Sequence, residues 1–175
     1  MKIENELWGF AKAFYTDLEV SSVLLTLQNK YGYNVNQLIF AVWLAAKGQK
    51  LTLLCEPNSG DRLWNAQVTT PLRAIRKRVK ALMEESAQDK AQFLKCYKQI
   101  LAAELNAEQV ELAKMYAAYE HYSESALADD AKLVNENLAL CRINGDKSAV
   151  TDNTAFELCW STLEKGAIEH INGIR

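Results

Sequence analysis

Proline and glycine are scarce in this sequence, with two Pro and seven Gly in 175 residues. The shortage argues against a turn-rich sheet protein and favours long helices. The glycines are scattered singly, which excludes a phosphate-cradling loop or a dinucleotide fingerprint, since both need clustered Gly. No GxSxG elbow is present, and no cysteine carries a recognisable nucleophile signature. The four cysteines, Cys55, Cys96, Cys141 and Cys159, form no CxxC pair and have no His at ligand spacing. Most of them sit beside apolar residues in helical patterns, so buried reduced thiols are expected rather than a disulfide or a metal site. Charge of one sign is also missing: the formal net charge is −2, which gives no global attraction to nucleic acid or membrane. The longest uncharged run, Tyr31 to Ala46, includes two Asn and falls short of the ~20 apolar residues that span a bilayer. The opening MKIENELWGF lacks the apolar core and cleavage site of a signal peptide, and a cytoplasmic protein is expected.

What the chain does contain is a hub. YGYNVNQLIFAVWLAAK, from Tyr31 to Lys47, is apolar on nearly every helical face from Val35 to Ala46. A helix of that kind must be surrounded by other elements. The expected architecture is therefore all-α, a single-domain bundle over residues 1–175 with about seven to nine helices around this buried central one.

The neighbours follow from caps and periodicity. Asn5 caps a first helix carrying Leu7, Trp8, Phe10, Ala11, Phe14 and Tyr15. A second spans about Val20 to Lys30 and is stopped by Gly32. Asn34 starts the central helix and Gly48 ends it. LTLLC reads as a helical turn or a short extended piece, and EPNSG as a loop. Asp61 is expected to cap the next helix. Pro71, ten residues on, predicts a kink or break at Thr70 before the helix resumes as PLRAIRKRVKALMEES. One helix is expected over Ala87 to Leu105. Asn106 and Gln109, which resemble a capping box, begin another through Tyr119. A further helix holds Leu133, Val134, Leu138 and Cys141 and stops at Asn144-Gly145. The last starts after Asp152 and ends near Gly166.

The sharpest surface feature follows Pro71. Arg73, Arg76, Lys77 and Lys80 share one helical stripe, with Arg78 beside it, while Leu72, Ile75, Val79, Leu82 and Met83 form the opposite side, expected to be buried. Five cations in eight residues suit phosphates or an acidic protein face. The alternative is a solvated face neutralised by Glu84, Glu85 or the acidic positions Glu104, Glu108 and Glu111. No aromatics are interleaved for base stacking. Glu104 with Glu108 and Glu120 with Glu124 have helical spacing, yet neither His121 nor His170 follows a Glu by three residues, so a di-metal bundle site is not expected. His121 reads as a surface or partly covered side chain rather than a general base. Trp8, Tyr33, Asn34, Asn36, Trp43 and Trp64 are candidates for an apolar pocket with a few polar tips beside the central helix.

Three stretches taken in order, LWGFAKAFY from Leu7, YGYNVNQLIFAVWLA from Tyr31 and TPLRAIRKRVK from Thr70, resemble an uncharacterised, mostly gammaproteobacterial family of small cytoplasmic helical proteins, a domain of unknown function. The resemblance rests on Trp8, Asn36, Trp43, Pro71 and Arg73 and covers about the first half of the chain. It implies that the Pro-Leu-Arg segment belongs to a family pattern, and it brings no activity, cofactor or catalytic residue. The first functional expectation is thus a non-enzymatic protein that uses Arg73, Arg76, Lys77 and Lys80 to bind an acidic protein or RNA partner. The alternative is a small-molecule binding protein or enzyme with the pocket named above. A dimer formed through an apolar helix face is the third.

Overall fold

The computed structural model describes residues 1–51, 59–85, 89–119, 129–143 and 152–174. Its helices are α1 (Glu6–Phe14), α2 (Leu18–Tyr31), α3 (Val35–Ala46), α4 (Gly60–Trp64), α5 (Thr70–Glu85), α6 (Lys90–Tyr119), α7 (Asp130–Ile143) and α8 (Asn153–Gly173). A π-helical turn, Asn65–Thr69, joins α4 to α5, so the described residues form seven continuous helices. The architecture is an all-α bundle, and among the described residues there is no β-strand.

The expected hub is in place. All of α3 from Val35 to Ala45 is buried except Gln37, and α1, α2, α6 and α7 pack around it. Its ends form as the sequence predicts. The Asn34 side chain accepts from the Asn36 N–H at 3.0 Å, and Gly48 takes the left-handed φ of 69° that only glycine adopts cheaply. Gly32, at φ 71°, closes α2 in the same way. Asn5 and Asp152 cap α1 and α8 through bonds to the Trp8 and Ala155 N–H groups. On the far side of the hub Asn137, fully buried, donates to Ala41 O and Gln49 O at 3.1 Å and accepts from Leu51 N at 2.8 Å. It thereby pins α7 to the end of α3.

Several expectations are corrected. The helix that begins at Gly60 follows Ser59, and Asp61 lies in its first turn rather than capping it. Pro71 does not break the helix: a π turn just before it widens the backbone by one residue, and the helix runs on. Asn106 and Gln109 cap nothing. The two helices expected there are one, 30 residues long and about 45 Å at 1.5 Å per residue. No Gly or Pro interrupts it, and Gln109 donates instead to Glu4 Oε1 at 2.7 Å. α8 does not end at Gly166 but continues to Gly173. Gly166 is there because a side-chain carbon would collide with Val20 of α2. Cys141 is buried, Cys159 partly so, and Cys96 exposed, which limits the expectation of buried thiols to the first two. Cys55, Glu120, His121, Glu124, Asn144-Gly145 and the LTLLC and EPNSG segments, apart from Leu51, Ser59 and Gly60, lie outside the described residues.

The largest departure concerns α5. None of its residues is buried: Ile75 and Leu82 are exposed, and Leu72, Val79 and Met83 are only half-covered. The first half of α6, against which it packs, has no buried residue before Glu104. α5 and this half of α6 pack together as a two-helix arm in which, among the described residues, none is buried. The bundle core begins where α6 reaches Glu104.

Candidate ligand cleft

A cleft of about 380 Å³ opens where the arm joins the bundle. Trp8, Ala11, Lys12 and Tyr15 line it from α1 and its C-terminus, Leu25 and Gln28 from α2, Asn36 and Ile39 from α3, and Arg76 from α5. α6 supplies Leu101, Glu104, Leu105, Glu108 and Leu112, positions that recur at three and four residues and so share one helical face. Most of the wall surface is apolar; Arg76, Glu104 and Glu108 make the α5–α6 side polar, and Lys12, Tyr15, Gln28 and Asn36 add polar groups from the other helices. A volume in the range of small-molecule sites with few convergent polar groups is the usual form of a binding cavity.

That polar side is an ordered chain of charges. Glu104, almost fully buried, accepts from Arg73 Nε at 3.0 Å and from Arg76 Nη2 at 3.2 Å, and Arg76 Nε donates to its other oxygen. Arg73 Nη2 donates to Glu108 Oε1 at 2.6 Å. Arg76 Nη1 reaches the Tyr97 hydroxyl at 3.5 Å, with the guanidinium over the ring. Burial is the main cause that raises the Glu108 carboxyl above its usual range, against the pull of Arg73. Burial, helped by Glu108, also pushes the Tyr15 phenol up to about 12, so it stays a protonated donor.

One turn further along α6, Glu111 is fully buried, and among the described residues no cation is bonded to it. Its carboxylate accepts from Asn34 Nδ2 at 2.6 Å, from Asn65 Nδ2 at 3.0 Å and from Thr69 Oγ1 at 3.2 Å. Asn65 and Thr69 are the two ends of the π turn, and that turn places both on the side facing α6. Desolvation raises the Glu111 carboxyl, while the neutral amides and hydroxyl lower it less. Among the described residues no group of three or more His, Cys, Asp and Glu is arranged to hold a metal ion.

The sequence-predicted residues are distributed as follows. Of the basic stripe, Arg73 and Arg76 turn inward onto Glu104 and Glu108, the acidic positions named as their alternative partners, while Lys77 and Lys80 stay exposed. Lys80 lies 4.0 Å from Glu84. Of the pocket set, Trp8 and Asn36 line the cleft. Asn34 instead bonds to Glu111. Tyr33 packs on Phe156 and Trp160 and donates to Arg142 O at 3.3 Å. Trp43 is enclosed by Phe40, Tyr116 and Tyr119. Trp64 donates from Nε1 to Ala107 O at 2.9 Å, with Lys114 over its ring. Tyr15 and the two glutamates were not foreseen as cleft residues. The signal was the i, i+4, i+7 spacing of Glu104, Glu108 and Glu111, which matches the i, i+3 spacing of the arginines opposite.

The arm carries a second feature. Residues 71–100 hold eight Lys and Arg against three Asp and Glu, a net +5, which leaves −7 on the rest of the chain. Lys77, Arg78, Lys80, Lys90, Lys95 and Lys98 are all exposed there.

Residues 6–115 match a family described as a protein of unknown function (DUF2390), a span that takes in the hub, the cleft and the arm. No curated protein and no solved structure matches the chain.

Proposed function

We propose that this chain, which belongs to the DUF2390 family of unknown function, binds a small, largely apolar molecule in the cleft between α1, α3 and α6. The observation that carries this reading is the cleft itself: apolar walls converge on Tyr15, Glu104, Glu108 and Arg76 along one side. The charged groups there are held by one another before any ligand arrives, and such preorganisation lowers the cost of binding. Leu105 lines the cleft and is 47% exposed, so Leu105→Trp fills the opening with little cost to the core. A thermal-shift screen of metabolites tests the reading, because a ligand that binds only the folded state raises Tm by mass action. Compounds that stabilise the parent and not Leu105→Trp support it; a broad screen without hits, or hits indifferent to that change, counts against it.

The basic arm favours a second reading, an interaction protein that receives an acidic partner. What supports it is the separation of charge between arm and bundle and the exposure of Ile75, Leu82 and Leu94 among the lysines. Arg73 and Arg76, bonded to glutamates, are spent on structure, so the contacts would fall to Lys77, Lys80 and the lysines of α6.

A further inference from the structure

On the cleft's α6 side, among the described residues, one carboxylate oxygen is left without a donor. Glu104, Glu108 and Glu111 stand on one face of α6, and the two guanidiniums bonded to that ladder are Arg73 and Arg76. Glu104 has donors on both oxygens and Glu111 has three neutral ones. Glu108 differs: Arg73 satisfies its Oε1, and among the described residues its Oε2 has no hydrogen-bond partner. The guanidiniums are already ion-paired: Arg73 donates from Nε and Nη2 and Arg76 from Nε and Nη2 to carboxylates, and Arg76 Nη1 faces Tyr97. An anionic ligand would meet carboxylates whose arginines are already taken. Two ring systems, Trp8 and Tyr15, also line the cavity, and aromatic faces attract cations.

We infer that the ligand carries a protonated amine on its apolar body, with the ammonium seated against Glu108 Oε2 and the Tyr15 phenol. The inference rests on the cleft reading above and names its ligand class. Burial above all, with smaller contributions from Glu104 and Glu111, raises the Glu108 carboxyl against the effect of Arg73. Lys12, the remaining cation on the wall, is exposed and lies over Trp8 with Nζ 5.5 Å from the ring centroid.

Isothermal titration of the full chain with tryptamine, tryptophol and indole-3-acetate separates the head groups on one apolar body. Tryptamine is expected to bind tightest, about tenfold or more above the alcohol, as one charge-assisted hydrogen bond provides. Glu108→Gln should bring amine and alcohol within about threefold of each other. If that variant does not fold, the parent still decides. In the parent, amine affinity should fall as pH is lowered and Glu108 takes up its proton, while alcohol affinity holds, with Lys12, Tyr15, Arg73, Arg76, Glu104 and Glu111 as the other charged or titratable groups of the site; an amine preference unchanged from pH 8 down to pH 4 overturns the assignment. Alcohol or carboxylate binding as tightly as the amine, or an amine preference that survives Glu108→Gln, overturns the amine and leaves the cleft standing. No binding by any of the three compounds, or binding that Leu105→Trp does not weaken, overturns both.

Discussion

Glu104 does more for the arm than any of its apolar residues, because it is the point where α5 is held to α6. Removing one partner of a buried ion pair leaves the other charge unmatched and costs about 3–5 kcal/mol, less where water reaches it. The side chains of Arg73 and Arg76 retain 12% and 19% exposure, so Glu104→Ala is expected to cost about 3 kcal/mol, read as a lower urea midpoint. Lys77→Ala, on the outer side of the same helix, should stay within about 0.5 kcal/mol. Equal effects from the two changes would mean that the stripe is uniformly solvated. Glu108 and Glu111 make a different prediction. Both are raised from 4.5 in the folded chain, so the folded state binds protons more tightly than the unfolded one, and their contribution is fully present below about pH 4.5 and is lost as pH rises through their folded values. Glu111→Gln should flatten the fall in urea stability measured from pH 4.5 to 8, and an unaltered slope would remove Glu111 as its source. At this scale the sequence was half legible. Asn5, Asn34, Asp152 and Gly32 declared themselves because a cap acts on its own backbone, but the inward turn of Arg73 and Arg76 depended on which helix lay opposite.

Among the elements, those whose pattern is complete within themselves were the readable ones. α3 could be recognised as the hub because a helix without a polar face admits few other fates. α6 could not be recognised as one helix, since Asn106 and Gln109 have the spacing of a cap and only packing shows that none is needed. Gly166 was misread in the same way: it looked like a stop signal and is a contact. Its α2–α8 approach is testable. Gly166→Ala gains up to about 1 kcal/mol of helix propensity, yet the new methyl meets Val20, and overpacking of this kind costs about 1–3 kcal/mol. A net loss in urea stability is expected, restored in part by Val20→Ala in the same chain. Stabilisation by Gly166→Ala alone would show that the helices can separate without cost. The π turn makes a sharper case. Deleting the exposed Ala66 should return the segment to α-helical winding and rotate α4 by about 100° against α5, so that Asn65 and Thr69 no longer both reach Glu111. Two lost hydrogen bonds to a buried carboxylate amount to about 3 kcal/mol or more, and the deletion should unfold at a correspondingly lower urea concentration. A deletion variant as stable as the parent would mean that the turn only accommodates Pro71.

The molecule as a whole divides into a bundle that carries net negative charge and an arm that carries net positive charge, a division hidden in a total of −2. Periodicity alone assigned the apolar side of α5 to the core, because a window of sequence does not record whether the opposing surface is a bundle or a single helix. Within the arm α5 packs on α6, and Lys77, Lys95 and Lys98 stay exposed on it. An exposed surface charge can be reversed cheaply. Lys77→Glu, Lys95→Glu and Lys98→Glu together should shift Tm by no more than a few degrees, since exposed substitutions usually stay within about 0.5 kcal/mol each. The same triple change should leave the ligand-induced thermal shift intact, because none of the three lines the cleft. Any partner held by the arm should dissociate from the parent as salt rises toward 1 M, where the Debye length falls to about 3 Å, and should fail to bind the triple variant at low salt. Should the triple variant lose its ligand-induced shift with the fold intact, arm and cleft would be one site rather than two, and the positive charge of the arm would belong to the recognition of the ligand.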